Sequence, residues 1–79
     1  MEKECFVYVI ESITQKNRYT GLSFNIEERL VQYNKGYSAF TKSCIPWELV
    51  YYEKMANRSE ARKREKYLKS AAGRRFVEK

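Results

Sequence analysis

The stretch Cys5-Phe-Val-Tyr-Val-Ile10 constrains the fold more than any other, because both alternating faces of this short segment are apolar or aromatic. A strand of that kind must be covered on two sides, so it belongs in the middle of a sheet with further layers above and below it. The chain has 79 residues from which to build those layers. Such a length suits one domain spanning 1–79, and a domain so small buries only roughly 60% of the surface its unfolded chain exposes. Aromatic residues make up 15% of the chain, and each buried ring removes a large apolar area from water, so a core is feasible without cross-links.

Strand one is expected over residues 5–11. A polar turn at 12–17 leads into Arg18-Tyr-Thr-Gly-Leu-Ser23, which returns most simply as an antiparallel partner. Gly21 within it points to a close backbone approach or a bulge. Asn25 and Glu28 have the spacing of a capping box, and Gly36 supplies a stop, so a helix is expected from about 26 to 35. Its apolar positions Ile26, Leu30 and Tyr33 follow i, i+4, i+7 and face the sheet, with Arg29 on the border of that stripe. Residues 37–46 read as a loop of hydroxyl, aromatic and basic groups, and Trp47 to Glu53 as a third strand. Asn57 and Glu60 repeat the cap spacing and open a second helix that runs to about Ser70. Gly73 interrupts the pattern, leaving a last short helix or turn over 74–79. The expected class is α+β, an α/β sandwich with a small three-stranded antiparallel sheet flanked by two main helices.

Charge is unevenly placed. Residues 1–53 carry about −1 and residues 54–79 about +7. A basic segment of that density suits a polyanion, whose counterions are released on binding, although a solvated helix face explains it equally well. Cys5 and Cys44 form no zinc-binding spacing and read as reduced thiols. The apolar run Phe6 to Ile10 is far too short to span a bilayer, and Met1-Glu-Lys-Glu lacks the basic start of a signal peptide, so no membrane association is expected.

Histidine and aspartate are absent from the chain. Any hydrolytic site must therefore be assembled from tyrosine, arginine and glutamate. Glu65 draws attention, because the least charged stripe of the second helix is Ala61, Leu68 and Ala72, and position 65 lies on the same face. A carboxylate there is costly unless paired, hydrogen-bonded or bound to a cation. Arg62, Lys66 and Lys69 are candidate ion-pair partners, and a functional acid is the other explanation. Tyr8 and Tyr19, taken singly, read as core aromatics, and Arg29 as a solvated charge.

In order and spacing, however, Tyr8, Tyr19, Arg29 and Glu65 resemble the GIY-YIG nuclease family, which includes the N-terminal nuclease domain of a bacterial excision-repair protein. Phe6-Val7-Tyr8 stands at the first signature, Tyr19-Thr20-Gly21 at the second, and Asn25-Ile-Glu-Glu-Arg29-Leu on the helix that carries the family's arginine. Pro46 to Tyr52, Ser59 to Glu65, and Lys69 to Phe76 are similar to a small stand-alone bacterial branch. Glycine and isoleucine of the first signature are replaced by Phe6 and Val7, and isoleucine of the second by Thr20, positions that strand packing governs. The asparagine that several members carry beyond the metal-binding helix has no counterpart in 71–79.

The resemblance implies a divalent-metal-dependent endonuclease acting on DNA phosphodiesters, with RNA as a further candidate and with a role in repair or recombination. It implies one Mg²⁺ or Mn²⁺ held by Glu65, Arg29 on the scissile phosphate, Tyr8 orienting or deprotonating the attacking water, Tyr19 positioning it, and Tyr33 in support one turn after Arg29. A phenol with a pKa of about 10 is only roughly 0.1% ionised at neutral pH, so Arg29 and the metal are expected to favour phenolate. Lys42, Arg58, Arg62, Lys63, Lys66, Lys69, Arg74 and Arg75 are the expected phosphate contacts. The alternative is a non-catalytic nucleic-acid-binding module with Tyr37 or Phe40 stacking on unpaired bases. A protein-interaction adaptor explains neither the tetrad nor the basic tail. A cytoplasmic, nucleoid-associated bacterial protein is expected, with a homodimer or a DNA-targeting partner supplying target choice.

Overall fold

A computed structural model describes residues 4–36 and 42–78, with side chains described as far as residue 75. Its sheet has three antiparallel strands, β1 (Cys5–Ser12), β2 (Arg18–Ser23) and β3 (Trp47–Met55), in the order β2-β1-β3. The strand with two apolar faces is thus the central one. Helix α1 (Ile26–Asn34) lies between β2 and β3 in sequence, and α2 (Arg58–Lys69) and α3 (Ala71–Glu78) follow the sheet. The expected α+β sandwich is the observed architecture.

Alternate residues of β1 build two separate cores. Tyr8 and Ile10 pack with Tyr33, Cys44 and Trp47, backed by Tyr19, Ile26, Leu30 and Ile45, on the side of α1. Cys5 and Val7 pack with Ala61 and Leu68, backed by Leu22, Tyr51 and Met55, on the side of α2. A register shift between Val9 and Ile10 lets β3 pass Tyr51 and Leu49 against consecutive β1 residues, so the bulge lies at Val50. β2 pairs without a shift. Gly21 therefore marks a close approach and no bulge: a Cβ there would stand 2.7 Å from the Tyr8 hydroxyl. A small residue opposite Tyr8 leaves room for its phenol end.

Both helix starts follow the sequence signal. The Asn25 side chain accepts from the Glu28 amide at 3.1 Å, and that of Asn57 from the Glu60 amide at 2.9 Å, each satisfying an otherwise unpaired donor of the first turn. The second helix ends where expected, but the last helix begins earlier than expected. The chain leaves the helix at Ser70, in extended conformation, and resumes at Ala71. Ser70 serves both ends, since its hydroxyl donates to the Tyr67 carbonyl and accepts from the Gly73 amide. Gly73 does not break a helix but lies within α3, where a Cβ would meet the Tyr67 carbonyl at 2.1 Å and the Leu68 Cα at 2.4 Å. Only glycine lets α3 fold back so tightly on the end of α2. In consequence Ala72, read as the third member of the α2 stripe, is exposed on another helix, and the buried residue there is Gly73.

A side chain stitches α1 to β3. Asn34 accepts from the Trp47 amide at 2.6 Å and donates to its carbonyl at 3.1 Å, mimicking one rung of a sheet ladder. This fixes Trp47 at the base of the aromatic core.

Candidate active site

Tyr8 on β1 and Tyr19 on β2 project from the same face, since Tyr8 pairs with Gly21 and Tyr19 with the neighbouring Ile10. Arg29 and Tyr33, one turn apart on α1, descend onto them. The hydroxyls of Tyr8 and Tyr33 are 2.9 Å apart, and the Tyr33 ring meets the Tyr19 ring edge-on with centroids 5.6 Å apart. The Arg29 guanidinium carbon stands 5.3 Å from the centroid of Tyr33, and its Nη1 donates to Gln32 at 3.0 Å. Four of the expected site residues therefore form one aromatic and cationic cluster. Tyr8 and Tyr33 are its buried floor, Arg29 its exposed cover and Tyr19 its half-buried side.

At Tyr8 burial outweighs Arg29, which pulls the phenol toward phenolate as expected. Burial pushes the Tyr8 phenol up, and the hydrogen-bonding influence of Tyr33 and Arg29 only partly offsets it. Tyr33 is pushed up to about 12, by burial first and by Tyr8 next. Burial also raises Tyr19, as does Tyr33, with Lys69 pulling down and Glu65 pushing up. Desolvation disfavours the charged form of a phenol, and here it outweighs one nearby cation. The three phenols are neutral hydrogen-bonding groups at pH 7. In return, interaction with Tyr8 raises Arg29 further, so its charge is secure.

Glu65 reaches the region from the other side. It lies on α2, which packs against the Cys5 and Val7 face, and its side chain is 20% exposed with a carboxylate oxygen 3.5 Å from Lys69 Nζ. Its charge acts on both Tyr19 and Cys5. Lys69 is thus the partner found among the three cations considered for it.

A sequence model of the GIY-YIG catalytic domain matches residues 4–77. The chain belongs to the GIY-YIG family. A UPF0213 protein of Clostridium perfringens is 37% identical over 65 residues, covering 81% of this chain and 69% of its own length. One of Syntrophus aciditrophicus is 42% identical over 66 residues, with 81% and 75% covered, and one of Natronomonas pharaonis is 35% identical over 71, with 89% and 82% covered. No solved structure matches the chain. Membership makes this a protein of a nuclease family, with nucleic acid as the implied partner.

Glu65 is the carboxylate among the expected site residues. Among the described residues no three His, Cys, Asp or Glu side chains gather into a chelating group. Glu65 offers a lone carboxylate, which excludes a four-ligand zinc site but fits an ion like Mg²⁺ that keeps most of its shell as water and phosphate oxygen. An ion held there would take the place of the Lys69 ammonium, 3.5 Å from the carboxylate.

Of the expected phosphate contacts, Lys42, Arg58, Arg62, Lys63, Lys66, Lys69, Arg74 and Arg75 are all exposed. Lys69 and Arg74 line an open cleft of about 730 Å³ beside Tyr19, together with Lys16 of the β1–β2 turn and Arg18 at the start of β2. Those last two cations are hidden in the sequence by the acidic balance of residues 1–53. The stacking candidates Tyr37 and Phe40 lie outside the described residues. Among those described, no helix is long and apolar enough to cross a membrane.

Proposed function

We propose that this GIY-YIG protein is a divalent-metal-dependent endonuclease that hydrolyses DNA phosphodiesters, selecting its substrate by structure. The observation that carries the reading is Arg29 held over the paired Tyr8 and Tyr33 hydroxyls with Tyr19 alongside. A guanidinium fork suits a phosphate, and it is exposed where the phenols are not. Arg29 contacts the scissile phosphate and offsets the charge that develops on it. Tyr19, half-buried, orients the attacking water by hydrogen bonding. Tyr8 and Tyr33, kept neutral by burial, fix Arg29 from beneath, so Tyr8 positions and does not deprotonate. Glu65 holds the divalent ion, which when bound lowers the pKa of a water and neutralises phosphate charge. Water oxygen bonds to phosphorus and releases a proton to solvent, the bond from phosphorus to the 3′ oxygen breaks, and that oxygen takes up a proton from solvent, leaving 5′-phosphate and 3′-hydroxyl ends.

A second reading, a binding module without catalysis, is favoured by one observation: Lys69 already neutralises the single carboxylate. The two separate in a cleavage assay with Mg²⁺ or Mn²⁺ on duplex, flap and single-stranded DNA. Wild type is expected to cut, and Glu65→Ala and Arg29→Ala each to lose about 10²–10³-fold in rate, as when one charge-stabilising group is removed from an active site. Cleavage by Glu65→Ala at the wild-type rate sinks the catalytic assignment. Tight, salt-sensitive binding without any cleavage by wild type selects the second reading.

A further inference from the structure

The cleft beside Tyr19 has two walls of different origin. Lys16 and Asn17 come from the β1–β2 turn and Arg18 from the start of β2, and Lys69 and Arg74 from the junction of α2 and α3. Its floor is Val9, Thr20 and Leu68, with Val9 and Leu68 almost fully buried. Four cations line it against one carboxylate, Glu11. Glu11 divides itself between two of them, at 2.9 Å from Arg18 Nε and 4.0 Å from Lys16 Nζ. The turn is shaped to hold its wall in place: Lys16 has φ 61°, and its amide bonds the Ser12 carbonyl at 2.9 Å. A left-handed residue is uncommon outside glycine and asparagine, and here it lies in the turn that carries the Lys16 side chain to the cleft.

We propose that this cleft binds a single strand of nucleic acid where it leaves the site, with backbone phosphates between Lys16 and Arg18 on one wall and the cations of the α2–α3 junction on the other. The size of the cleft favours a strand within it over a duplex. About 730 Å³ falls within the range of roughly 300–1,000 Å³ of small-ligand pockets, room for a nucleotide or two but not for a double helix. The net positive lining suits backbone phosphates. Lys69 joins the cleft to the site, because it pairs with Glu65 and acts on Tyr19. The inference rests on the nuclease reading for its direction, since the cleft lies on the α2 face, where Lys69 meets Glu65, and a strand passes the β2 edge to reach Tyr19 on the other face. It accounts for Lys16 and Arg18, which no motif singled out.

The test separates the two. Fluorescence anisotropy follows a labelled single-stranded oligonucleotide in EDTA, where no cleavage occurs, with the intact chain, Lys16→Asn with Arg74→Gln, and Lys54→Gln as a charge control on the far strand. Asparagine tolerates the left-handed turn, and circular dichroism checks that each variant is folded. Wild type is expected to bind, the cleft double variant to bind about tenfold more weakly with a salt slope smaller by about 1.4, and the control to change by less than about twofold. A duplex of equal length should compete poorly. Equal losses in the control and the cleft variant overturn the cleft, as does no binding by wild type, and equal competition by duplex overturns the single strand. If wild type binds as stated but never cuts with metal, the cleft stands and the catalytic reading falls. If the double variant binds and cuts like wild type, the cleft falls alone.

Discussion

The two faces of β1 share a strand and little else. On the α2 side Cys5, Val7, Ala61 and Leu68 make a dry, aliphatic contact, with polar groups confined to a rim where Arg64 grips Glu53 through bonds of 2.9 to 3.0 Å. On the α1 side Tyr8, Tyr33 and Trp47 bring polar atoms into the core, and each must find a partner there because an unpaired buried hydroxyl is costly. The first face can be optimised for packing alone. The second must hold phenols and a guanidinium in fixed relation, which favours interlocking hydrogen bonds over simple burial. Yet Glu65 is carried by the helix of the dry face, so any chemistry at the β2 margin depends on both layers keeping their distance.

Removing packing from the dry face is expected to have the largest effect. Leu68 is 2% exposed, and Leu68→Ala should destabilise by about 2–5 kcal/mol through lost transfer energy and a residual cavity. Against a total of about 5–15 kcal/mol for a domain, that leaves the chain near its threshold. Urea unfolding measures it. A loss below about 1 kcal/mol would mean that α2 is held chiefly by the Arg64–Glu53 rim, and the contrast between faces would be wrong.

The wet face should reveal itself through pH. Tyr33 has a native pKa of about 12 against about 10 for a free phenol. Between those values the native state keeps a proton that the unfolded state has lost. The contribution is fully present below about pH 10 and disappears as pH rises to about 12, a loss of about 2–3 kcal/mol at most. Stability measured across that window should fall more steeply for wild type than for Tyr33→Phe. Parallel profiles would place Tyr33 in a wetter site than its 2.9 Å contact with Tyr8 implies.

The two faces are legible in the sequence to different degrees. The two-faced pattern of Cys5 to Ile10 announces a central strand, and both asparagine caps and the limits of β2 follow from local chemistry that operates within a few residues. Tyr8, Tyr19, Arg29 and Tyr33 can be grouped because each sits at a fixed place in a short signature. What escapes is set by distant approaches. Gly21 serves a ring on the next strand, Gly73 a helix end, and Asn34 a backbone thirteen residues away, none of which leaves a periodic trace. The direction of the phenol shifts is equally hidden, because it depends on whether burial or Arg29 wins, and burial is a property of the packed core.

The smallest effect concerns the part of the α1 face that α1 leaves open. Tyr52 pairs with Tyr8 across the sheet but is 57% exposed, touching Phe6 with ring centroids 6.3 Å apart, while Leu49 and Val50 beside it are also exposed. Tyr52→Ser removes that aromatic pair and little buried area, so it should cost about 0.5–1 kcal/mol. The same loss is expected at two protein concentrations a decade apart, because an isolated chain's stability does not depend on concentration. A cost above about 2 kcal/mol that grows with concentration would mean that a second copy covers Tyr52. In that event the wet face would be completed by association, and its likeness to a thin, half-open core would hold only for the monomer.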